Sequence, residues 1–211
     1  MGMSSIVLTA DTLLGTPTIG SVEFDGKAFY NTAQGTQRGI IPGAQFFRLE
    51  SNYVGTASTS AQGIFGATLG VTLSTSTVYA FEMYVVFSKT ATATAHNFQL
   101  GFGGAATINN ILYGGASNNI GQAFASGGVS GAPTFDSITA TATTAYTTGA
   151  IAANSSRFYL RGTVSINGGG PFIPQYTTSV SVGPYSTLAG SYFLIYPIGA
   201  SGANISVGAW A

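Results

Sequence analysis

Apolar and polar side chains alternate at every second position along several stretches of this chain, and this period constrains the fold more than any other feature. In HNFQLGF (96–102) the large apolar side chains share one face and the amides the other, with Phe98, Leu100 and Phe102 opposed to Asn97 and Gln99. RFYLRGTVSI (157–166) repeats the pattern, since its polar positions, including Ser165, all fall opposite the apolar ones. A period of two is typical of half-buried β-strands. The sequence therefore predicts an all-β fold.

Two further segments, VYAFEMYVVF (78–87) and SYFLIYPIG (191–199), are apolar on both faces. Such a strand is either covered on both sides or faces a subunit interface. As an exposed edge, 78–87 would be prone to aggregation, so we place it in the middle of a sheet. Helical periodicity is weak throughout, and a single short helical turn is expected within 57–66.

Glycine-rich breaks separate short, frequent strands, which is typical of a sandwich or barrel. The prediction is an antiparallel β-sandwich of jelly-roll type. A boundary is expected near Pro42-Gly43. Residues 1–43 would form an N-terminal arm and hairpin for docking and oligomerisation, and residues 44–211 the β-sandwich domain.

Charge is scarce, because only 6% of residues are Asp, Glu, Lys or Arg and the net charge is zero. An ordinary soluble domain has about 25%. Six basic residues cannot build a phosphate-binding groove, so nucleic acid is not an expected partner. No segment approaches the roughly 18 apolar residues of a membrane span, so membrane insertion is not expected either.

Candidate chemical motifs are few. The single histidine, His96, cannot form a multi-histidine metal site, and we interpret it as structural or exposed. GFGGAA (101–106) lacks the acidic residue that a dinucleotide-binding motif requires, and a glycine-rich strand end is the better interpretation. With no cysteine in the chain, thiolate sites are absent. We expect no catalytic residue, cofactor or metal. The eleven tyrosines and Trp210 could form a sugar-binding surface, although such residues are more often core or interface.

Four of the twelve charged side chains lie between residues 20 and 39: Glu23, Asp25, Lys27 and Arg38. Asp25-Gly26 between apolar runs predicts a two-residue type I′ hairpin turn. That turn would place Phe24 opposite Lys27 and Glu23 opposite Ala28. Glu23 and Asp25 would share a strand face, so a carboxylate pair for glycoside hydrolysis is an alternative. Turn chemistry explains Asp25 more simply, and we assign this group to the turn and to docking.

The segment IGSVEFDGKAFYNTAQGTQRGIIP resembles a module of bacteriophage virion surface proteins, especially tail fibres. The positions that match are Gly20, Glu23, Phe24, Asp25, Gly26, Phe29, Tyr30, Thr32, Arg38 and Gly39. Four later segments resemble the same family in the same order: VYAFEMYVVFSKTATATAHNFQLGFGG, RGTVSINGGGPFIPQ, SYFLIYPIG and VGAW. The resemblance runs from about residue 13.

This resemblance implies a non-enzymatic virion component, rich in β-structure and assembled as a homo-oligomer, often a trimer. Its expected partners are copies of itself and other capsid or tail proteins. Capsid decoration, head fibre and tail fibre all remain open. One alternative is a carbohydrate-binding module that recognises a host surface glycan, and another is a polysaccharide depolymerase.

Overall fold

The computed structural model describes residues 6–89, 94–119, 134–140, 146–147, 155–208 and 210. These residues form β-strands, turns and irregular segments, and no helix occurs among them. The helical turn expected within 57–66 is therefore wrong. That segment instead contains the two-residue strand β6 flanked by bends, and glycines at both 63 and 66 disfavour a helix there.

The N-terminal part forms a separate three-stranded antiparallel sheet in the order β1-β2-β3. Its strands are β1 (Val22–Phe24), β2 (Phe29–Gln34) and β3 (Gln37–Ile41). The next strand, β4 (Gln45–Arg48), already belongs to another sheet, because it pairs with the last strand of the chain. The chain thus changes sheets between Ile41 and Gln45.

A larger antiparallel sheet has β8 near its middle. It contains β4, β5 (Tyr53–Val54), β8 (Thr77–Ser88), β10 (Thr107–Asn119), β11 (Thr134–Ala140), β13 (Ser155–Gly168), β15 (Ser186–Thr187) and β16 (Tyr192–Ala200). β13 pairs with one edge of β8, while β15 and β16 pair with the other. The prediction that 78–87 lies inside a sheet is confirmed.

A smaller antiparallel sheet faces the larger one. It contains β6 (Gln62–Gly63), β7 (Val71–Leu73), β9 (Phe98–Gly103), β12 (Tyr146–Thr147) and β14 (Gly170–Thr178). β9 and β12 pair on one side, and β14 pairs with β9, β6 and β7.

The core lies between these two sheets and is rich in aromatic rings. Phe81 of β8 meets Phe102 of β9 at a centroid distance of 5.2 Å, and Phe87 meets Phe98 at 4.8 Å. Phe98, Leu100 and Phe102 are all buried, as the alternation predicts. The fold is therefore all-β, with antiparallel sheets stacked as in a β-sandwich.

One polar position departs from the predicted alternation. Ser165 is buried together with its neighbours Val164 and Ile166. The β10–β13 pairing shifts register beside this point, which breaks the strict alternation.

The two segments that are apolar on both faces are covered on one face only. In β8 every second residue from Tyr79 to Phe87 is buried, and the residues between them are half-buried. β16 behaves alike around Phe193 and Ile195. We call the face of the large sheet that carries the half-buried residues the outer face. Contact between this face and another subunit stays a prediction.

Candidate functional site

The loop between β1 and β2 is longer than the sequence predicts. Phe24 lies opposite Phe29 and Glu23 opposite Tyr30, so residues 25–28 form a four-residue loop. The predicted two-residue type I′ turn, with Phe24 opposite Lys27 and Glu23 opposite Ala28, is wrong. The reason is the Asp25 side chain, whose Oδ1 accepts hydrogen bonds at 2.8 Å from the backbone amides of both Lys27 and Ala28.

Gly26 does require the backbone freedom that only glycine has. Its φ is +85°. A Cβ built on Gly26 would lie 3.2 Å from the Cβ of Ala10 in the N-terminal arm. Conformation and space therefore both favour glycine at this position.

Arg38 of β3 and Glu23 of β1 form a two-point ion pair across β2. The Nε of Arg38 lies 2.9 Å from Glu23 Oε2, and its Nη2 lies 3.0 Å from Oε1. The Glu23 side chain is only 9% exposed. The hydrogen bond from Arg38, more than any other contact, holds the pKa of Glu23 below its usual value.

The same pair fastens the arm to this sheet. Glu23 Oε1 accepts the backbone amide of Leu14 at 2.7 Å, and Arg38 Nη2 donates to the Leu14 carbonyl at 2.8 Å. The amide of Asp11 donates to the carbonyl of Phe24 at 3.0 Å. Asp11 is therefore bound to the edge strand β1, and Leu14 to the face of the three-stranded sheet that carries Glu23 and Arg38.

Asp25 and Lys27 complete this polar group. Asp25 Oδ2 accepts the hydroxyl of buried Tyr30 at 3.0 Å. Burial, aided by that bond, raises the pKa of Tyr30 to about 12. Lys27 Nζ donates to the carbonyl of Thr75 in the β7–β8 turn at 2.9 Å, which joins the hairpin to the sandwich of its own chain. Docking of these residues on a neighbouring chain stays a prediction.

The contacts of Glu23 and Asp25 can be compared with what a carboxylate pair for glycoside hydrolysis requires. The general acid of a glycosidase needs a raised pKa. Glu23 has a lowered pKa, and both oxygens of Asp25 accept hydrogen bonds from its own hairpin. The geometry suits a structural role for both carboxylates.

The opposite face of the hairpin is apolar, and we call Val22, Phe24, Phe29 and Ile41 the hairpin apolar face. Phe24 and Phe29 stack with ring centroids 4.4 Å apart, and Phe29 lies across from Ile41. Val22 is 52% exposed, and Phe29 and Ile41 are each 38% exposed. Solvent-exposed apolar residues grouped in this way are typical of an interaction surface.

The remaining sequence motifs have structural roles. His96 is buried, with Nδ1 2.7 Å from the carbonyl of Thr94 and Nε2 2.8 Å from the hydroxyl of Tyr185, so the structural interpretation is confirmed. GFGGAA ends β9 and leads through a turn at Gly104 into β10, as the strand-end interpretation predicts.

The sequence interpretation missed one polar group on the outer face. Glu82 of β8 accepts hydrogen bonds from the hydroxyls of Tyr159 on β13 and Tyr192 on β16. These bonds raise the pKa of Tyr159, and they raise that of Tyr192 to about 12. Both tyrosines lie directly across from Tyr84, so three neighbouring strands carry a row of tyrosines. In the sequence, only the alternation within β8 and β13 indicated that these side chains share a face.

Comparison of the chain with protein-family models, with curated proteins and with solved structures gave no match. In the described part of the chain, no group of three or more His, Asp or Glu side chains is placed to hold a metal ion. No helix long and apolar enough to cross a membrane occurs there.

Proposed function

We propose that this protein is a non-enzymatic structural component of a bacteriophage virion, displayed on the particle surface as a capsid decoration, head-fibre or tail-fibre protein. It assembles as a homo-oligomer, a trimer in our proposal, and its partners are further copies and capsid or tail proteins. The resemblance of residues 19–42 to virion surface proteins supports the location. The hairpin apolar face is the observation that carries the assembly.

The hairpin apolar face belongs to a hairpin whose position is fixed by contacts on its other side. The Glu23–Arg38 pair and the arm hold its other side, so Phe29 and Ile41 keep a defined position at the surface. A pre-organised apolar surface loses little conformational entropy on association. A specific interface needs about 1,000 Å² in total, so arm and hairpin would have to contribute together.

The proposal also includes jelly-roll connectivity for the sandwich, and the strand order supports it. Along the larger sheet the order includes β4-β16-β8-β13, and along the smaller sheet it is β6-β14-β9-β12. The eight strands in these two rows, taken in chain order, are β4, β6, β8, β9, β12, β13, β14 and β16. By their place in that order, the larger sheet reads first-eighth-third-sixth and the smaller sheet second-seventh-fourth-fifth. This is the order of two interlocked Greek keys. β10 and β11 extend the larger sheet beyond β13 as an added hairpin.

Sedimentation velocity over a range of concentrations tests the assembly. We expect an oligomer that Phe29→Asp dissociates, because a buried carboxylate without a partner opposes association. Val180→Asp is the matched control, since Val180 is 44% exposed and lies outside the hairpin. A wild-type chain that stays monomeric at high concentration would contradict the assembly. Antibody-gold labelling of virions tests the location, and particles without label would contradict it.

A further inference from the structure

Glu82 is a fixed acceptor on the outer face of the large sheet. The Tyr159 hydroxyl donates to its Oε2 at 2.9 Å, and the Tyr192 hydroxyl donates to its Oε1. An ionised carboxylate has about four lone-pair sites. Each oxygen of Glu82 therefore keeps the capacity to accept a further hydrogen bond, at a position set by two tyrosines.

Arg161 supplies donors beside this acceptor. It lies directly across from Glu82 in the β8–β13 pairing, and it is exposed. Arg161 takes part in neither the Arg38–Glu23 nor the Arg48–Glu50 ion pair, and it forms no ion pair with another described residue. Cβ atoms of directly opposed residues are about 4.5–5.5 Å apart. A carboxylate and a guanidinium thus stand side by side without binding each other.

A depression adjoins this pair. It has a volume of about 620 Å³, and residues with small side chains, Ala80, Gly114 and Thr163, contribute to its lining. Leu112 and Tyr196 add apolar and aromatic surface around it. Sites for small molecules typically measure about 300–1,000 Å³ and combine apolar walls with a few polar groups.

We propose that this depression binds a neutral saccharide, whose neighbouring hydroxyls donate to Glu82 and accept from Arg161 while its C–H surfaces pack against Leu112 and Tyr196. A ligand with a net charge would be attracted by one member of the pair but repelled by the other. A wholly apolar ligand would strip water from both charges without replacing their hydrogen bonds. A polyhydroxylated neutral ligand avoids both costs.

This site goes beyond the proposed assembly, and it is separate from the hairpin apolar face that supports that assembly. Glu82 and Arg161 lie on the large sheet, whereas the hairpin apolar face lies on the three-stranded sheet. It gives a location to carbohydrate recognition, and it requires the outer face around Glu82 and Arg161 to stay open to solvent rather than to meet another subunit.

A glycan array bearing neutral gluco-, manno- and galacto-oligosaccharides beside sulfated and sialylated glycans tests the proposal on the full chain. We expect neutral glycans to be retained. Titration calorimetry with the best-retained oligosaccharide should show at least a tenfold loss of affinity for Glu82→Gln and for Arg161→Met. Glu50→Gln is the matched control and should bind as the wild type, because Glu50 is an exposed carboxylate with its own arginine partner.

Three results would overturn the proposal: no retention of any neutral glycan, retention of charged glycans alone, or full affinity in Arg161→Met. Arg161 is exposed, so this variant decides the matter even if Glu82→Gln folds poorly. A change of oligomeric state in Arg161→Met, with no glycan bound by the wild type, would assign the outer face to a subunit contact instead.

Discussion

Arg38 and Glu23 meet through two hydrogen bonds, of 2.9 and 3.0 Å, and between them they bind both the amide and the carbonyl of Leu14. One ion pair therefore joins the first and third strands of the hairpin to the arm. Exposed ion pairs contribute about 0–1 kcal/mol, but this pair is largely screened from water.

Arg38→Ala should loosen the arm and the hairpin, since it leaves the Glu23 carboxylate and the Leu14 carbonyl without their shared donor. We expect a loss of about 1–3 kcal/mol in the local free energy of opening. Hydrogen exchange of residues 8–41 in the full chain measures it. Arg48→Ala is the control, because the Arg48–Glu50 pair is 46% and 85% exposed and should change stability little. Equal exchange in both variants would contradict a structural role for the pair.

Lowering the pH should increase the local opening of the arm and the hairpin. The pKa of Glu23 is lowered in the folded chain, so its ionised form stabilises the hairpin above the usual value of 4.5. That stabilisation is lost as the pH falls below 4.5 towards the folded pKa. Exchange in the arm should therefore accelerate in this window. In Glu23→Gln the backbone amides of the arm should exchange faster already at neutral pH. Lowering the pH should then cause little further loss of stability from position 23.

Gly26→Val should destabilise the hairpin by about 1–3 kcal/mol, because valine strongly disfavours positive φ. The added side chain would also press on Ala10, which the Cβ of residue 26 approaches to 3.2 Å. Gly43→Val is the matched control, since a Cβ there would meet nothing within 4 Å. Hairpin exchange rates and the oligomeric state report the effect, and a Gly26→Val variant that behaves like Gly43→Val would contradict it.

Tyr185→Phe should cost about 1–3 kcal/mol in the free energy of unfolding, because it leaves a ring nitrogen of buried His96 without its partner. Denaturant unfolding followed by near-ultraviolet circular dichroism measures this loss. Tyr84→Phe is the comparison, since Tyr84 is half-buried and its hydroxyl makes no hydrogen bond among the described residues. Equal stability of the two variants would show that the His96–Tyr185 bond contributes nothing.

Alternation allowed the sequence to predict the strands around Phe98 and Phe158, because burial on one face of a pleated strand leaves a period of two. The turn after Phe24 was not predictable in its length. It depends on Asp25 accepting two backbone amides, and the dipeptide Asp-Gly permits that geometry as well as the tight turn.

The hydrogen-bonded group around Glu82 could not be predicted from the sequence, for a different reason. Its two hydrogen-bond donors lie on β13 and β16, and only the pairing register of three distant strands brings them together. Periodicity assigns each residue to a face, but it does not specify which residues of separate strands become neighbours.

The central position of β8 also sets the order in which the chain can fold. Its two main neighbours, β13 and β16, begin only at Ser155 and Tyr192. During synthesis, neither edge of this long apolar segment can be paired until the residues of β13 have left the ribosome. Pairing between segments so distant in sequence is slow, and until it is complete the unpaired edges of β8 are open to aggregation.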